Sequence, residues 1–456
     1  MRLLSKVFQP LITIPKNAKI KSTEVTCKSQ KLLLECGLIR PTSSGLFAIL
    51  PLAQRAMDKL ETHIRKHIEA AGAQRISLPS LTSAWLWDNK HIEAAGAQRI
   101  SLPSLTAASL WDKSGRLQEM GPELMKATDR HGKQYVLAPT HEEAITDLLA
   151  DVGPLSYKQL PLILYQISSK FRDEHRPKHG LLRARQFTMM DAYSHHATEE
   201  CVRNTYERMS QAYRDIFEGL GLKVYRVEAP SGAMGGSLSH EWQAVAEAGE
   251  DSLTVCQRCQ HVGLEAKCQR CGGEGEVVSS IEVGHTFVLN TRYSSPLGAC
   301  YTDAQGARPA LRAACYGVGG SRLLAACVEA GGAWPRGVAP YSALLVPPKE
   351  GSKEWQQLGW SSVEQVYSQL SVLPTLRDDV IVDDRCDMTI GKRLMQANRM
   401  GYPYTVVMGK AALESPPRYE LVCGSSTQLL TMPELLKTID TMDQGNNNMA
   451  AEIVTA

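Results

Sequence analysis

The hydrophobic positions first fall into a helical rhythm upstream of residue 70. Ala53, Met57, Leu60, Ile64 and Ile68 recur at intervals of three and four, which puts them on one face of an amphipathic helix. Gly72 is a suitable stop, and Arg75–Leu78, closed by Pro79, reads as a short strand. Further on, strand-like runs such as Tyr135–Leu137 and Thr286–Leu289 alternate with helical stretches such as Ala212–Leu220. Clean strand–helix–strand units are scarce in the middle of the chain, so the pattern predicts an α+β fold on an antiparallel sheet. After Trp334–Pro335 the rhythm changes. Short apolar strands (Ala343–Val346, Val380–Val382, Tyr404–Val407, Tyr419–Val422) alternate with helices around Ser362–Leu370, Gly391–Arg399 and Pro433–Ile439. That is the signature of a separate small α/β domain. The stretch with Asn446–Asn448 has no packing pattern, and 444–456 is expected to be a loose tail.

One feature disturbs this reading. The segment Lys66–Thr82 recurs without change as Lys90–Thr106, 24 residues later. Repeat folds stack several units and tolerate drift, so one unchanged pair of copies is not a solenoid. It reads as a recent exon-scale duplication of a helix end and a strand, or as a faulty gene model, and the fold needs one copy. The path downstream is expected to leave from Pro103.

The composition narrows the class. With 456 residues, 43% hydrophobic and 21% charged, the chain should bury a substantial core over two or three domains. A formal net charge of +2 neither requires nor excludes a nucleic-acid partner, because a basic face can hide in a balanced total. No run of 18 apolar residues occurs, so no membrane span is expected. The first 23 residues hold five basic residues (Arg2, Lys6, Lys16, Lys19, Lys21) and no acid, which suits a mitochondrial targeting leader over 1–25. Four of the 12 cysteines lie between Cys256 and Cys271. This clustering points to metal binding in a reducing compartment rather than to a disulfide framework.

Three constellations carry candidate chemistry. The first is Phe171-Arg172-Asp173-Glu174 with Arg183, Arg185, Phe187 and Asp191, which taken alone is also compatible with a solvated hairpin. The second is Cys315-Tyr316-Gly317-Val318-Gly319-Gly320-Ser321-Arg322, opening an apolar helix. Glycines there would let a backbone approach a nucleotide, and a helix N-terminus favours anions, although a tight turn gives the same pattern. The third is Pro139-Thr140-His141-Glu142-Glu143, which by itself is a capped helix start.

Taken together, these segments resemble the class II aminoacyl-tRNA synthetases: the long helix and strand ending in a proline would be motif 1, the FRDE segment motif 2 and GVGGSR motif 3. The blocks APTHEEAI, KFRDEHRPKHGLLRARQF, GGSLSHEW, IEVGHTF and CYGVGGSR resemble prolyl-tRNA synthetases of the bacterial and mitochondrial type, over Cys27 to Ile439. The resemblance implies an antiparallel sheet flanked by helices in a catalytic domain over 26–333. It further implies an anticodon-binding domain over 334–443, where APYSALLVPP, VDDR and GYPYTVVMG match, and a homodimer. The implied substrates are ATP with Mg²⁺, L-proline and mitochondrial proline tRNA, in the mitochondrial matrix. Arg172 would bridge the α-phosphate and the proline carboxylate, Glu174 would accept from the adenine amino group, and Phe187 would stack on the adenine. Arg183 would hold the distal phosphates and Arg322 the other adenine face and the γ-phosphate, with Gly317 and Gly319 beside the nucleotide. Thr140, Glu142 and His240 would line the proline site. Gln186, Met190 and Gly320 depart from the usual family pattern at positions without a leading role.

The cysteines form two Cys-x2-Cys pairs, Cys256/Cys259 and Cys268/Cys271, separated by eight residues. Two turns with this spacing can present four thiolates to a structural Zn²⁺; four incidental thiols are the alternative. Relatives of the bacterial type often carry a large editing insertion between the GGSxSHEF and IEVGH blocks. The corresponding stretch, 253–280, has 28 residues, too few for a hydrolytic domain, so editing in cis is not expected.

Overall fold

The structure is a computed structural model that describes residues 1–10, 25–75, 102–259, 261–264, 267–331, 334–335 and 337–449. The expected amphipathic helix is present as Pro51–Ala70, with proline in its first turn, where the missing N–H costs nothing. Leu52, Ala53, Ala56, Met57, Leu60, Ile64 and Ile68 are its buried residues. A strand Gln74–Arg75 follows and joins the main sheet at its edge, parallel to Leu162–Phe171. The described residues take the helix and the start of the strand from the first copy of the duplication, and Leu102–Thr106 from the second. Together they amount to one copy less its Ile-Ser pair; the remainder, 76–101 with Pro79, lies outside the described residues. Pro103 and Ser104 are set in the downstream path: the Ser104 carbonyl accepts from the Ala138 N–H at 2.9 Å, and the Pro103 carbonyl lies 3.3 Å from His141 Nε2.

The main sheet runs in the order Val224–Glu228, Leu238–Val245, Gly275–Asn290, Arg312–Val318, Gln186–His196, Leu162–Phe171, Gln74–Arg75. Every neighbouring pair but the last is antiparallel, as the α+β pattern predicts. Its register sorts the side chains into two layers, because successive residues of a strand face opposite ways. His240, Thr286, Tyr316, Ala192 and Tyr165 lie abreast. This layer meets the helices Glu199–Gly219, Pro51–Ala70 and Gly320–Gly331 in the largest core, where Tyr213, Phe217 and Trp242 pack ring to ring. One residue over, Ser239, Phe287, Cys315, Tyr193 and Leu164 lie abreast on the opposite face. Phe287, Cys315, Tyr193 and Leu164 belong to a second core that includes Ile145 of the helix Glu142–Val152. The functional cavity opens on this second face.

The C-terminal unit has its own five-stranded sheet, Val380–Val382, Ala343–Val346, Tyr404–Val407, Arg418–Cys423, Ser426–Thr431, parallel at the first two pairings and antiparallel at the last two. The strand Ser426–Thr431 has no counterpart in the hydrophobic pattern because its first four residues are solvent-exposed. The final helix, Met432–Met449, continues past 443, so part of the expected loose tail is helical. The unit is bolted to the helix Pro51–Ala70 through Asp379, buried at 7% exposure. Arg55 Nη2 and Lys59 Nζ reach its two oxygens at 2.8 and 2.6 Å, and the Ser342 N–H adds 3.1 Å. Arg55 also lies over the Tyr341 ring, 4.4 Å from its centroid.

Residues 1–10, the first part of the expected leader, pack against the C-terminal unit. Leu4 is buried, Leu3 bridges Val382 at the edge of the C-terminal sheet, and the Val382 N–H donates to the Arg2 carbonyl at 2.9 Å. These residues are built into the fold because that edge strand has free backbone groups to pair. The remainder of 1–25 lies outside the described residues but for Val25.

Candidate active site

Six separated stretches of chain converge on one cavity of about 330 Å³. Among its walls are Arg172, Glu174, Arg183, Phe187, Gly317, Gly319, Arg322, Thr140 and Glu142, nine of the ten candidate substrate residues. The strands Leu162–Phe171 and Gln186–His196 run antiparallel from Leu162↔His195 to Phe171↔Gln186 and carry the intervening loop to the cavity mouth. The loop is closed by the Arg172 N–H donating to the Arg185 carbonyl at 2.9 Å. Arg172 is partly buried beside the Phe187 ring, 5.3 Å from its centroid, and its buried Nε has no hydrogen-bond partner among the described residues. Desolvation and the neighbouring Arg322 lower its pKa against the raising effect of Glu282 and Glu123, so the site holds a cation disfavoured by its surroundings. Such a group is prepared for an anionic ligand.

Arg322, by contrast, is fixed. Its Nε donates to the Leu182 carbonyl at 2.9 Å, and its Nη1 to the Glu282 carbonyl and Oε2 at 3.0 and 3.1 Å. Burial would raise Glu282, but the His285 hydrogen bond and the charges of Arg322, His285 and Arg172 prevail and hold it down at about 2. Arg183 bridges two carboxylates, Glu174 at 2.9 Å and Glu250 at 2.8 Å. Gly317 and Gly319 leave open backbone: a Cβ added at either would meet protein atoms no nearer than 3.6 and 3.5 Å. Protein packing therefore does not demand glycine there, whereas a ligand laid along that strand would.

The inner end of the cavity is an ionic cluster that motif reading missed. Arg116, 0% exposed, contacts Glu142 Oε2 at 3.0 Å, both oxygens of Glu143 at 3.1 and 3.0 Å, and Thr140 Oγ1 at 3.0 Å. Thr140 is thus not a helix cap: its hydroxyl accepts from Arg116, and the Glu142–Val152 helix starts with His141 and no side-chain cap. One cation holds two carboxylates, and burial pushes the Glu143 carboxyl up against the lowering effect of Arg116. Behind it, Asp191 accepts from Tyr193 Oη at 2.7 Å and Gln166 Nε2 at 2.9 Å and pairs with the fully buried Lys170 at 2.6 Å. Tyr193 Oη in turn accepts from the His141 N–H at 2.8 Å, so this network sets the Thr140–Glu142 turn. Asp191 is marked by its place in the first constellation; Arg116 sits in a polar stretch with no motif of its own.

His240 is the exception among the ten. Strand alternation turns it to the helix side, where its Nδ1 lies 2.8 Å from Tyr206 Oη, so it does not line the cavity. Its neighbour Ser239 faces the cavity layer instead, with Oγ 2.7 Å from Nε2 of His285, a cavity residue. Successive residues of a strand face opposite ways, so His240 and Ser239 take opposite sides of the sheet.

Away from the cavity, Sγ of Cys256, Cys259, Cys268 and Cys271 all lie within 4.8 Å of one another, with Cys256–Cys271 and Cys259–Cys268 both at 3.5 Å. A tetrahedral Zn²⁺ with bonds of about 2.3 Å needs sulfur edges of about 3.8 Å, which this cluster accommodates. Backbone N–H groups of Arg258 and Cys259 point at Cys256 Sγ, and those of Arg270 and Cys271 at Cys268 Sγ. They favour the thiolate at one cysteine of each pair, Cys256 and Cys268. No described helix is long and apolar enough to cross a membrane.

Residues 125–331 match the family model described as the class II tRNA synthetase core domain (G, H, P, S and T). The chain is 41% identical over 443 residues to a Homo sapiens protein named "Probable proline--tRNA ligase, mitochondrial", covering 94% of this chain and 88% of that one. It is 33% identical to the proline–tRNA ligase of Sulfurimonas denitrificans, covering 86% and 90%. The fold is that of the Giardia lamblia prolyl-tRNA synthetase solved with prolyl-adenylate, with a TM-score of 0.74, 18% identity, and coverage of 93% and 80%. An antiparallel sheet with three candidate segments converging on one cavity, together with relatives this similar over nearly their full length, means that the chain belongs to the proline–tRNA ligase family of class II aminoacyl-tRNA synthetases.

Proposed function

We propose that the chain ligates L-proline to mitochondrial proline tRNA through a prolyl-adenylate, in the mitochondrial matrix, as a homodimer. The observation that carries this reading is the convergence of nine candidate residues on one cavity, with an arginine in its wall whose buried Nε has no partner among the described residues. In the first step a proline carboxylate oxygen attacks the α-phosphorus of Mg²⁺·ATP, an O–P bond forms, and pyrophosphate leaves. In the second, the terminal ribose hydroxyl of tRNA attacks the mixed anhydride and AMP leaves. Neither step needs a covalent enzyme intermediate, so positioning and charge stabilisation are the work of the protein.

Arg172 grips the carboxylate and α-phosphate together, which the planar guanidinium fork suits. Phe187 stacks on the adenine, Glu174 accepts from its amino group, and Arg183 and Arg322 hold the distal phosphates. Thr140 and Glu142 receive the proline ammonium, their positions set by Arg116. The unit from residue 334 binds the anticodon, and the four cysteines hold a structural Zn²⁺, with no ligand position left for chemistry. The mitochondrial name of the 41% identical relative supports the location. Proline-dependent ATP–pyrophosphate exchange followed by charging of mitochondrial proline tRNA tests the whole reading. Exchange that responds to threonine but not proline would refute it.

A further inference from the structure

Glu250 lies outside every sequence motif, yet two cations and an imidazole of the loop between Phe171 and Gln186 converge on it. Lys178 Nζ and His179 Nε2 approach its Oε1 at 2.5 and 3.1 Å, and Arg183 Nη1 approaches its Oε2 at 2.8 Å. His179 is held from its other side by Thr26 Oγ1, 2.6 Å from Nδ1, and Arg183 by Glu174. The carboxylate is itself well placed. It directly precedes the strand Asp251–Cys256, whose residues pair in unbroken register with the long strand from Ser280 to Gly275. At Gly249 the turn passes so close to the Ser280 backbone that any Cβ would overlap its carbonyl, and the Gly249 N–H donates to the Ala246 carbonyl at 3.0 Å. Glu250 therefore projects from a rigid corner at the base of the cysteine hairpin toward the tip of a loop that has no strand partner of its own. It also borders a small side cavity shared with Glu174, Arg183, Glu282 and Arg322.

We propose that Glu250 is a positioning residue for nucleotide binding: it holds Lys178, His179 and Arg183, and so pre-arranges the phosphate-facing side of the loop before ATP arrives. The proposal rests on the reading of the main cavity as the ATP site. The side chains are partly exposed (34% for Glu250 and 40% for Arg183), so the gain comes from ordering rather than from strong ion pairing. Leaving rotamer-rich side chains to be ordered on binding costs about 0.5–1.5 kcal/mol each, or about 2- to 12-fold in affinity per side chain.

The test is isothermal titration of a non-hydrolysable ATP analogue with Mg²⁺ into the wild type, Glu250→Gln, Lys178→Gln and the double variant. Kinetic constants from pyrophosphate exchange and thermal midpoints accompany it. Glu250→Gln is expected to weaken nucleotide binding and raise KM for ATP by about 3- to 10-fold. KM for proline and kcat should stay within about twofold, and the double variant should be no worse than Glu250→Gln alone. Unchanged or tighter nucleotide binding would overturn the proposal; tighter binding would mean that Glu250 only competes with phosphate for Arg183. A fall in midpoint with both KM values and kcat moving together would overturn it in favour of a purely structural role. A wild type that binds nucleotide without proline-dependent exchange would instead sink the functional reading, leaving the titration comparison to decide on Glu250.

Discussion

Replacing Arg172 with alanine separates chemistry from stability more cleanly than any other change in the cavity. On the proposed reading, the guanidinium would develop its full value only when charge builds on the α-phosphate and the leaving pyrophosphate. Removing one preorganised donor of this kind costs about 2.7–4 kcal/mol, or about 10²- to 10³-fold in kcat. The cost to the fold is much smaller. Arg172 Nε has no partner to orphan, and the side chain is disfavoured by desolvation and by Arg322. What is lost is the contact with Phe187, worth about 0.5–1 kcal/mol. Relief of the repulsion offsets part of that, so the thermal midpoint should stay within about 3 °C of the wild type. ATP–pyrophosphate exchange at saturating proline reads the first number and differential scanning calorimetry the second. Near-normal exchange would refute the assignment of Arg172, and a collapsed midpoint would refute the claim that it contributes little to stability.

Arg116→Ala should do the reverse, because it leaves Glu142 and Glu143 buried without their cation; a loss of about 3–5 kcal/mol in urea unfolding is expected. A midpoint shift smaller than about 1 kcal/mol would mean that the cluster is already neutral. Anaerobically purified protein should carry one zinc per chain by elemental analysis, and Cys268→Ser should lose it. The enzyme should activate alanine measurably, since each missing methylene forfeits only about 1–3 kcal/mol of discrimination, while pre-formed alanyl-tRNA should survive incubation with it at the spontaneous rate. Rapid deacylation would reveal a hydrolytic site elsewhere. Glu282, with its folded pKa depressed to about 2, contributes stability that is complete above about pH 4.3 and lost as pH falls toward 2. Glu282→Gln should therefore flatten the acid limb of the stability curve in that window, and an unchanged limb would contradict the assignment.

Much of this was legible in the sequence, for identifiable reasons. The helix Pro51–Ala70 and the four C-terminal strands declare themselves because each buries one apolar set with a fixed period. The cavity residues were legible as motifs, since they act at fixed spacing on one strand pair and one helix start. Arg116 and Glu250 were not. Each acts through a contact distant in sequence, 26 residues to Glu142 in one case and 67 to Arg183 in the other, and a single chain carries no mark of such pairs. His240 failed for a different reason: alternation gives two faces, and which of them meets the helices is settled only when the neighbouring strands fix the register. The strand at Ser426 was invisible because solvent covers the side chains that would have shown a period.

The Asp379 joint has a consequence for how a long substrate would be read. Arg55, Lys59 and Ser342 converge on one buried carboxylate, and Leu344, Val346, Ile381 and Val407 of the C-terminal sheet share a core with Leu60 and Ile64. Opening a hinge at this seam would strip a buried carboxylate of its cations and expose apolar surface at the same time, which favours a gauge of fixed span over jaws. A tRNA that touches both would be measured along its length, and one of the wrong reach could not be accommodated by the enzyme flexing. Selection would then fall on the nucleic acid, which must bend to fit or be rejected, and the energy of that deformation becomes part of what tells one tRNA from another.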